Sequence, residues 1–349
     1  MESSDFVLKL LAPHSHLEAF VRNQVRTDGR EFNERRPVEI ATASTACAEA
    51  SCSSVLFMSA PPRSGNTCGS SCVSMGGTKM VCSISLQIGV PSIGKPEDGD
   101  VTFDVALGPM VSAKFDQLNS KAGRKHDEAI DLETLLYALY TDEVVSGISR
   151  GGGGRALSPQ EKARAETNTA RVLDLKQLCI SPGRYAFRLN VHLVCVSLNG
   201  NLNDCAIRAV TAALQDVRLP ACDVRLGEAP PVALDYTETR CRALCFNTVP
   251  QPVTVGILTL SEGSKANSKA ENGTNTSVGV SGNVFLVDPS AQEEELVRTV
   301  TVVVGSQQEL LVVQHNESSP TSARGGGMLS QAATMELVGL CQQVAVAAQ

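Results

Sequence analysis

The sequence has no tryptophan, and Phe, Trp and Tyr together make up 4% of its 349 residues. A protein that grips single-stranded nucleic acid by stacking its bases would carry more aromatic faces than this. Positive charge is not in excess either: the formal net charge is −7, which excludes coating nucleic acid with the whole surface and leaves room only for a local contact. No apolar run approaches the ~20 residues that a membrane-spanning helix needs. Met1 to His16 carry acids and no small-residue cleavage site behind a long apolar stretch, so a secretory leader is not expected. The 12 cysteines include no C-x-x-C and have no histidine beside them, which leaves a zinc site little support. They are expected to be reduced thiols that pack as small hydrophobes.

Enough remains for a core. Hydrophobic residues are 42% of the chain, at a length that suggests two domains or one elaborate one. Three stretches have poor core-forming composition and are expected to be surface insertions: Ser59 to Ser74, Ser146 to Thr169 and Ser261 to Gly282. Gly151 to Gly154 lacks the following Gly-Lys-Ser/Thr of a phosphate loop and fits a flexible linker.

Between these stretches the periodicity is legible. Ser15 and Glu18 fit a capping box, and Leu17, Phe20, Val21 and Val25 repeat at helical spacing up to a stop near Gly29. Val38 to Thr42 and Met80 to Val90 predict strands, and Asp127 to Tyr140 predicts a helix with Ala129, Leu132, Leu136 and Leu139 on one face. Arg188 to Leu198 is a nearly continuous apolar and β-branched run, expected of a strand covered on both faces, with His192 a hydrogen-bonded core residue. Asp204 to Leu214 predicts a buried helix capped by Asp204. Strands are predicted at Ala243 to Thr248, Val253 to Leu258, Val284 to Val287, Thr299 to Val304 and Leu310 to Gln314, the last two a hairpin. Met328 to Ala347 closes the chain as a helix with Leu329, Ala333, Leu340, Val344 and Ala347 inward. The chain therefore reads as α+β in two halves, 1–225 and 226–349, each with a sheet and at least one helix.

Several motifs then carry a resemblance. Arg26-Thr27-Asp28-Gly29-Arg30 followed by Arg35-Arg36, Gly77-Thr78-Lys79-Met80-Val81, Leu178 to Arg184, Leu198 to Ala206, and Val287-Asp288-Pro289-Ser290 with Glu293-Glu294-Glu295 occur in this order. Together they resemble the ribonuclease PH family, and within it the branch found in the ring of the eukaryotic RNA exosome. The resemblance implies a ribonuclease PH fold of two βα halves, the first like ribosomal protein S5 domain 2 and the second a smaller sheet-plus-helix part. It implies pairing with other ribonuclease PH-like subunits into a six-membered ring, a cap subunit of S1/KH type, an associated exoribonuclease, and RNA in the central channel. Nucleus, nucleolus and cytoplasm are the implied locations, and no cofactor is expected.

Catalytic relatives bind phosphate through an Arg pair and a Gly-Ser/Thr-Arg loop, beside a D-x-x-x-x-x-D carboxylate pair. In the segment Cys222 to Cys241, after the predicted central helix, the only acids are Asp223, Glu228, Asp235 and Glu238, which do not reproduce that pair. Gly183-Arg184 lies before a buried strand and Gly123-Arg124-Lys125 has no hydroxyl neighbour, so the loop does not appear either. No catalytic residue and no metal ligand is therefore expected. Lys114-Phe115 matches the place where relatives carry a pore-facing Ser-Arg-Phe, so Lys114, Lys121, Arg124 and Lys125 are the expected RNA-backbone contacts; a solvated loop face is the other reading. The competing function is a phosphorolytic 3′–5′ exoribonuclease with Asp235 and Glu238 as its carboxylates, and a thiol or metal protein is a third possibility.

Overall fold

The computed structural model describes residues 11–44, 67–112, 115, 126–141, 172–224, 232–235, 240–259, 283–316 and 331–347. Helix α1 (Pro13–Arg22) begins on a proline, whose fixed φ suits a first turn and whose missing N–H would be unpaired there anyway. Ala12 stands at the N-cap without a side-chain bond, so the expected capping box does not form, and Glu18 instead pairs with Arg22 at 3.2 Å. The helix stops at Arg22, short of Gly29, which leaves Val25 beyond its end and exposed.

The larger sheet contains β1 (Val38–Thr42), β2 (Thr67–Met75), β3 (Thr78–Gly89), β4 (Asp100–Ala106), β5 (Cys179–Ser181) and β6 (Tyr185–Ser197), in the order β1-β2-β3-β6-β4 with β5 beside β6. Every pairing is antiparallel except β4 with β6, and α2 (Asp127–Tyr140) lies between those two in sequence, as a parallel connection requires. Asp127 and Glu128 favour its positive end, His126 accepts the Glu128 N–H, and the four predicted residues face the core.

Two readings of this sheet need correction. The stretch 59–74 is not an insertion throughout, because Cys68 to Met75 is buried strand. Its small residues mimic linker composition, but here they let a helix lie close. A Cβ on Gly69 would come within 2.7 Å of the Ala213 carbonyl oxygen, and Ser71 Oγ donates to the Ala209 carbonyl at 2.6 Å. Strand β6 is covered on one face only. Phe187, Leu189, Val191, Leu193 and Cys195 point inward, whereas Val194 and Val196 are 45% and 46% exposed. Valines on an open face produced the apolar run. His192 stands on that open face, with Nδ1 3.3 Å from Asp104 Oδ2 across the parallel pair.

Helix α3 (Leu202–Asp216) lies between this sheet and the second one, burying Ala206, Val210, Ala213 and Leu214. Its N-cap is Asn201, held at φ +57°, and not Asp204, which falls in the first turn. Asp204 is buried and accepts from Thr254 Oγ1 at 2.6 Å and Thr254 N at 3.2 Å, so it fastens the helix to the second sheet. Four short strands follow, β7 (Arg218–Leu219), β8 (Ala221–Val224), β9 (Val232–Asp235) and β10 (Arg242–Ala243), pairing β7 with β10 and β8 with β9. The strand expected at Ala243 to Thr248 shrinks to β10 and one bridge, Phe246 with Leu173.

The second sheet is antiparallel, β12-β11-β13-β14, from β11 (Gln251–Thr259), β12 (Asn283–Val287), β13 (Arg298–Val304) and β14 (Leu310–Asn316), with the short α4 (Ala291–Glu294) after β12. Helix α5 (Gln331–Ala347) buries Ala333 and packs Leu337, Cys341 and Ala345 on Val253, Val255, Phe285, Val300 and Val302. Its buried stripe is displaced from the expected one: Leu340 and Val344 are partly buried, Ala347 is exposed, and Leu329 lies outside the described residues. On the opposite face, Leu17 and Val21 of α1 meet Leu258, Val284, Leu286 and Val297. The first helix therefore packs on the last sheet. Among the described residues no helix is long and apolar enough to cross a membrane.

Candidate functional site

Four of the five motifs quoted above, distant in sequence, meet at the N-terminal end of α3; Leu178 to Arg184 lies apart from them, on β5 and the turn before β6. Arg26 is 1% exposed and reaches Glu293 Oε1 at 3.1 Å, Glu293 Oε2 at 2.5 Å and the Val287 and Asp288 carbonyls at 2.7 and 3.0 Å. Glu293 is fixed for this by the capping box it forms with Ser290. Arg36 takes Asp288 bidentately, Nε to Oδ2 at 2.8 Å and Nη2 to Oδ1 at 2.6 Å, and its backbone N–H adds a bond to Oδ2 at 2.9 Å. Arg30 Nη1 reaches the same Oδ2 at 3.2 Å, and Asn201 Nδ2 donates to Oδ1 at 2.8 Å. Gly200 and Thr78 complete the junction: Thr78 Oγ1 donates to the Gly200 carbonyl at 2.7 Å and accepts the Asn199 N–H at 2.9 Å.

Asp288 is the hub. It is 1% exposed and sits at φ +52°, a left-handed conformation that Asp tolerates better than most residues. Burial by itself would raise its pKa, but the hydrogen bonds and charge of Arg36, with help from Asn201, draw it down to about 2. Glu294 joins through its Oε1, which accepts the Asn201 N–H at 2.5 Å. The positive end of α3, a place where an external anion would be favoured, therefore already holds carboxylates of the chain itself.

This arrangement bears on catalysis. Asp288 and Glu294 are six residues apart, the D-x-x-x-x-x-D spacing with Glu for the second Asp, and both touch Asn201. The segment just after α3 lacks this spacing; it occurs instead inside the run beginning at Asp288. Its chemistry is closed, however. Five donors, Arg30 Nη1, three groups of Arg36 and Asn201 Nδ2, converge on Asp288, whose two oxygens offer about four lone-pair sites. The lone pairs of Asp288 are thus taken up by groups of the chain itself.

The other candidates are dispersed. Asp235 ends β9 and pairs with Arg240 at 3.3 Å; Asp223 lies on β8; Glu228 and Glu238 fall outside the described residues. Gly183, at φ +71° in the turn before β6, donates to the Pro96 carbonyl at 2.9 Å and so serves as a tie between loops. Lys114, Lys121, Arg124 and Lys125 all lie outside the described residues, while Phe115 is buried edge-on to the His126 ring at 4.9 Å between centroids.

The chain is similar to known proteins in sequence and in fold. The chain is 26% identical over 277 residues to the exosome complex component Rrp42 of Methanothermobacter thermautotrophicus, covering 79% of this chain and 73% of that protein. It is 23% identical over 247 residues to the exosome complex component rrp43 of Schizosaccharomyces pombe, covering 71% and 68%. Its fold is like that in a structure of the Archaeoglobus fulgidus exosome with RNA bound to the active site, with a TM-score of 0.59, 20% identity, and coverage of 96% of this chain and 95% of that one. The model of the RNase PH group, described as 3′ exoribonuclease family, domain 1, matches residues 34–220, more than half the chain. The buried junction of arginines, carboxylates and helix terminus thus belongs to a ribonuclease PH fold, and the chain is a member of the 3′ exoribonuclease family.

Proposed function

We propose that this chain is a non-catalytic subunit of the ring of an RNA exosome, holding its place in the ring and forming part of the channel for 3′–5′ processing and degradation. The observation that carries the non-catalytic reading is the saturation of Asp288, the better placed of the two carboxylates, by five donors inside a 1%-exposed site. The two relatives named as exosome components support the ring. On this reading the chain pairs with other ribonuclease PH-like subunits, meets an S1/KH-type cap, and delivers RNA to an associated exoribonuclease, in nucleus, nucleolus and cytoplasm. RNA passes Lys114, Lys121, Arg124 and Lys125. The net charge of −7 suits a ring sector whose basic residues are confined to the channel.

The competing reading is a phosphorolytic exoribonuclease with Asp235 and Glu238 as carboxylates. The purified chain, alone and with a ring partner, is given single-stranded RNA, inorganic phosphate and magnesium, and nucleoside diphosphates are measured. No release above the protein-free blank is expected. Release that disappears in Asp235→Ala would establish the enzyme and overturn the scaffold.

A further inference from the structure

The buried polar atoms that find no partner among the described residues are Arg35 Nε and Nη1, Arg208 Nε and Gln314 Oε1, and all four belong to the seam between α3 and the second sheet. Arg35 enters it from the segment before β1, with Nη2 donating to the Pro252 carbonyl at 3.1 Å. Arg208 enters from α3, one turn beyond Asp204 and so on the same helix face. Asp204 holds Thr254, which is two residues from Pro252 and so points to the same side of β11. Gln314 is the register partner of Thr301, whose hydroxyl lies 2.9 Å from that of Thr254.

The charges at this seam do not balance. Burial lowers the pKa of Arg35; Asp204 and Asp288 oppose that, while the nearby Arg208 adds to it. Asp204 already gives both oxygens to Thr254, and Asp288 gives its oxygens to Arg30, Arg36 and Asn201. Two guanidinium groups thus share one nearby carboxylate not already paired with another arginine, Asp204, which leaves positive charge in excess, and three of their buried nitrogens find no acceptor. Leaving such donors unpaired is costly, and more so when they carry charge. Water would satisfy the hydrogen bonds but not the charge. An oxyanion satisfies both, and guanidinium geometry matches phosphate oxygens well.

We propose that Arg35 and Arg208 form a binding site for one phosphate-type oxyanion, either free phosphate or a phosphate group of a nucleic acid. Neither residue belongs to the carboxylate junction, and the inference stands independently of the ring assignment.

The test uses the purified chain, in its complex if it is obtained that way. Inorganic phosphate and, separately, a short single-stranded oligoribonucleotide are titrated calorimetrically, with ionic strength held constant by chloride. Crystals soaked in tungstate locate the anion directly. Saturable binding of one equivalent is expected, weakened about tenfold or more in Arg208→Gln, the loss expected for one charge-assisted hydrogen bond. Arg35→Gln gives the same loss. Sensitivity confined to phosphate identifies a free-anion site; sensitivity confined to the oligonucleotide identifies a backbone contact. Ordered water alone between the two guanidinium groups, no binding of either probe, or binding equal in wild type and both variants would overturn the proposal.

Discussion

Asp288→Ala is expected to destabilise the chain by about 3–5 kcal/mol, because it leaves the Arg36 guanidinium buried without its counter-charge and takes from Arg30 one of its two carboxylate partners, Asp28 being the other. A domain of ordinary stability has about 5–15 kcal/mol in total, so the variant should accumulate mainly in the insoluble fraction. Urea unfolding followed by circular dichroism measures the loss in whatever folds. Arg22→Ala, which removes an exposed pair with Glu18, is the control and should shift stability by no more than about 1 kcal/mol. Equal small shifts in both would mean that the junction is an ornament of the fold.

The same residue gives a pH dependence whose sign is fixed. The Asp288 pKa falls from 3.8 to about 2 on folding, so the folded state favours the ionised form. Its contribution is therefore complete above the unfolded value and is lost as pH falls through the folded one, a window from about pH 4 to pH 2. That linkage amounts to roughly 2 kcal/mol, less than the truncation, because protonation leaves the side chain in place and truncation does not.

Gly200→Ala is the second large effect. Gly200 sits at φ +84°, and a Cβ there would meet Ala291 N at 2.4 Å, Ser290 C at 2.5 Å and Pro289 O at 2.7 Å. Backbone atoms cannot rotate away as a side-chain tip would, so the turn before α3 must separate from the 289–291 segment and strain the junction at Asp288. Left-handed backbone costs an alanine about 1 kcal/mol, and the overlap adds about 1–3 kcal/mol. Gly29→Ala isolates the first contribution, since Gly29 has φ +83° and nothing within 4 Å of its Cβ. A difference of about 1–3 kcal/mol between the two variants in thermal or urea unfolding is expected. Identical losses would show that the close approach is absent in solution.

The elements most legible in the sequence were those whose periodicity is local. Helix α2 shows its buried face in Ala129, Leu132, Leu136 and Leu139, and the β13–β14 hairpin shows its turn at Gly305 to Gln308. Strand β2 was hidden because Gly69, Ser70 and Ser71 look like linker, while their purpose, letting α3 approach, depends on a helix some 140 residues away. Strand β6 was misread on its outer face because Val194 and Val196 are apolar yet exposed. At the candidate site the motifs were visible one by one, but their partnerships were not. Arg30 and Asp288 are 258 residues apart, and no local period links an arginine to its carboxylate over such a distance. The D-x-x-x-x-x-E spacing of Asp288 and Glu294 was readable; that Asp288 is consumed by Arg36 required the fold.

The central claim, a ring subunit without chemistry of its own, is tested most directly by isolating the tagged chain from native extract and quantifying everything that comes with it by mass spectrometry. Ribonuclease PH-like ring subunits and S1/KH cap subunits in amounts equal to the chain are the predicted result. Recovery of the chain without them, together with phosphorolytic activity that remains with it, would contradict the account.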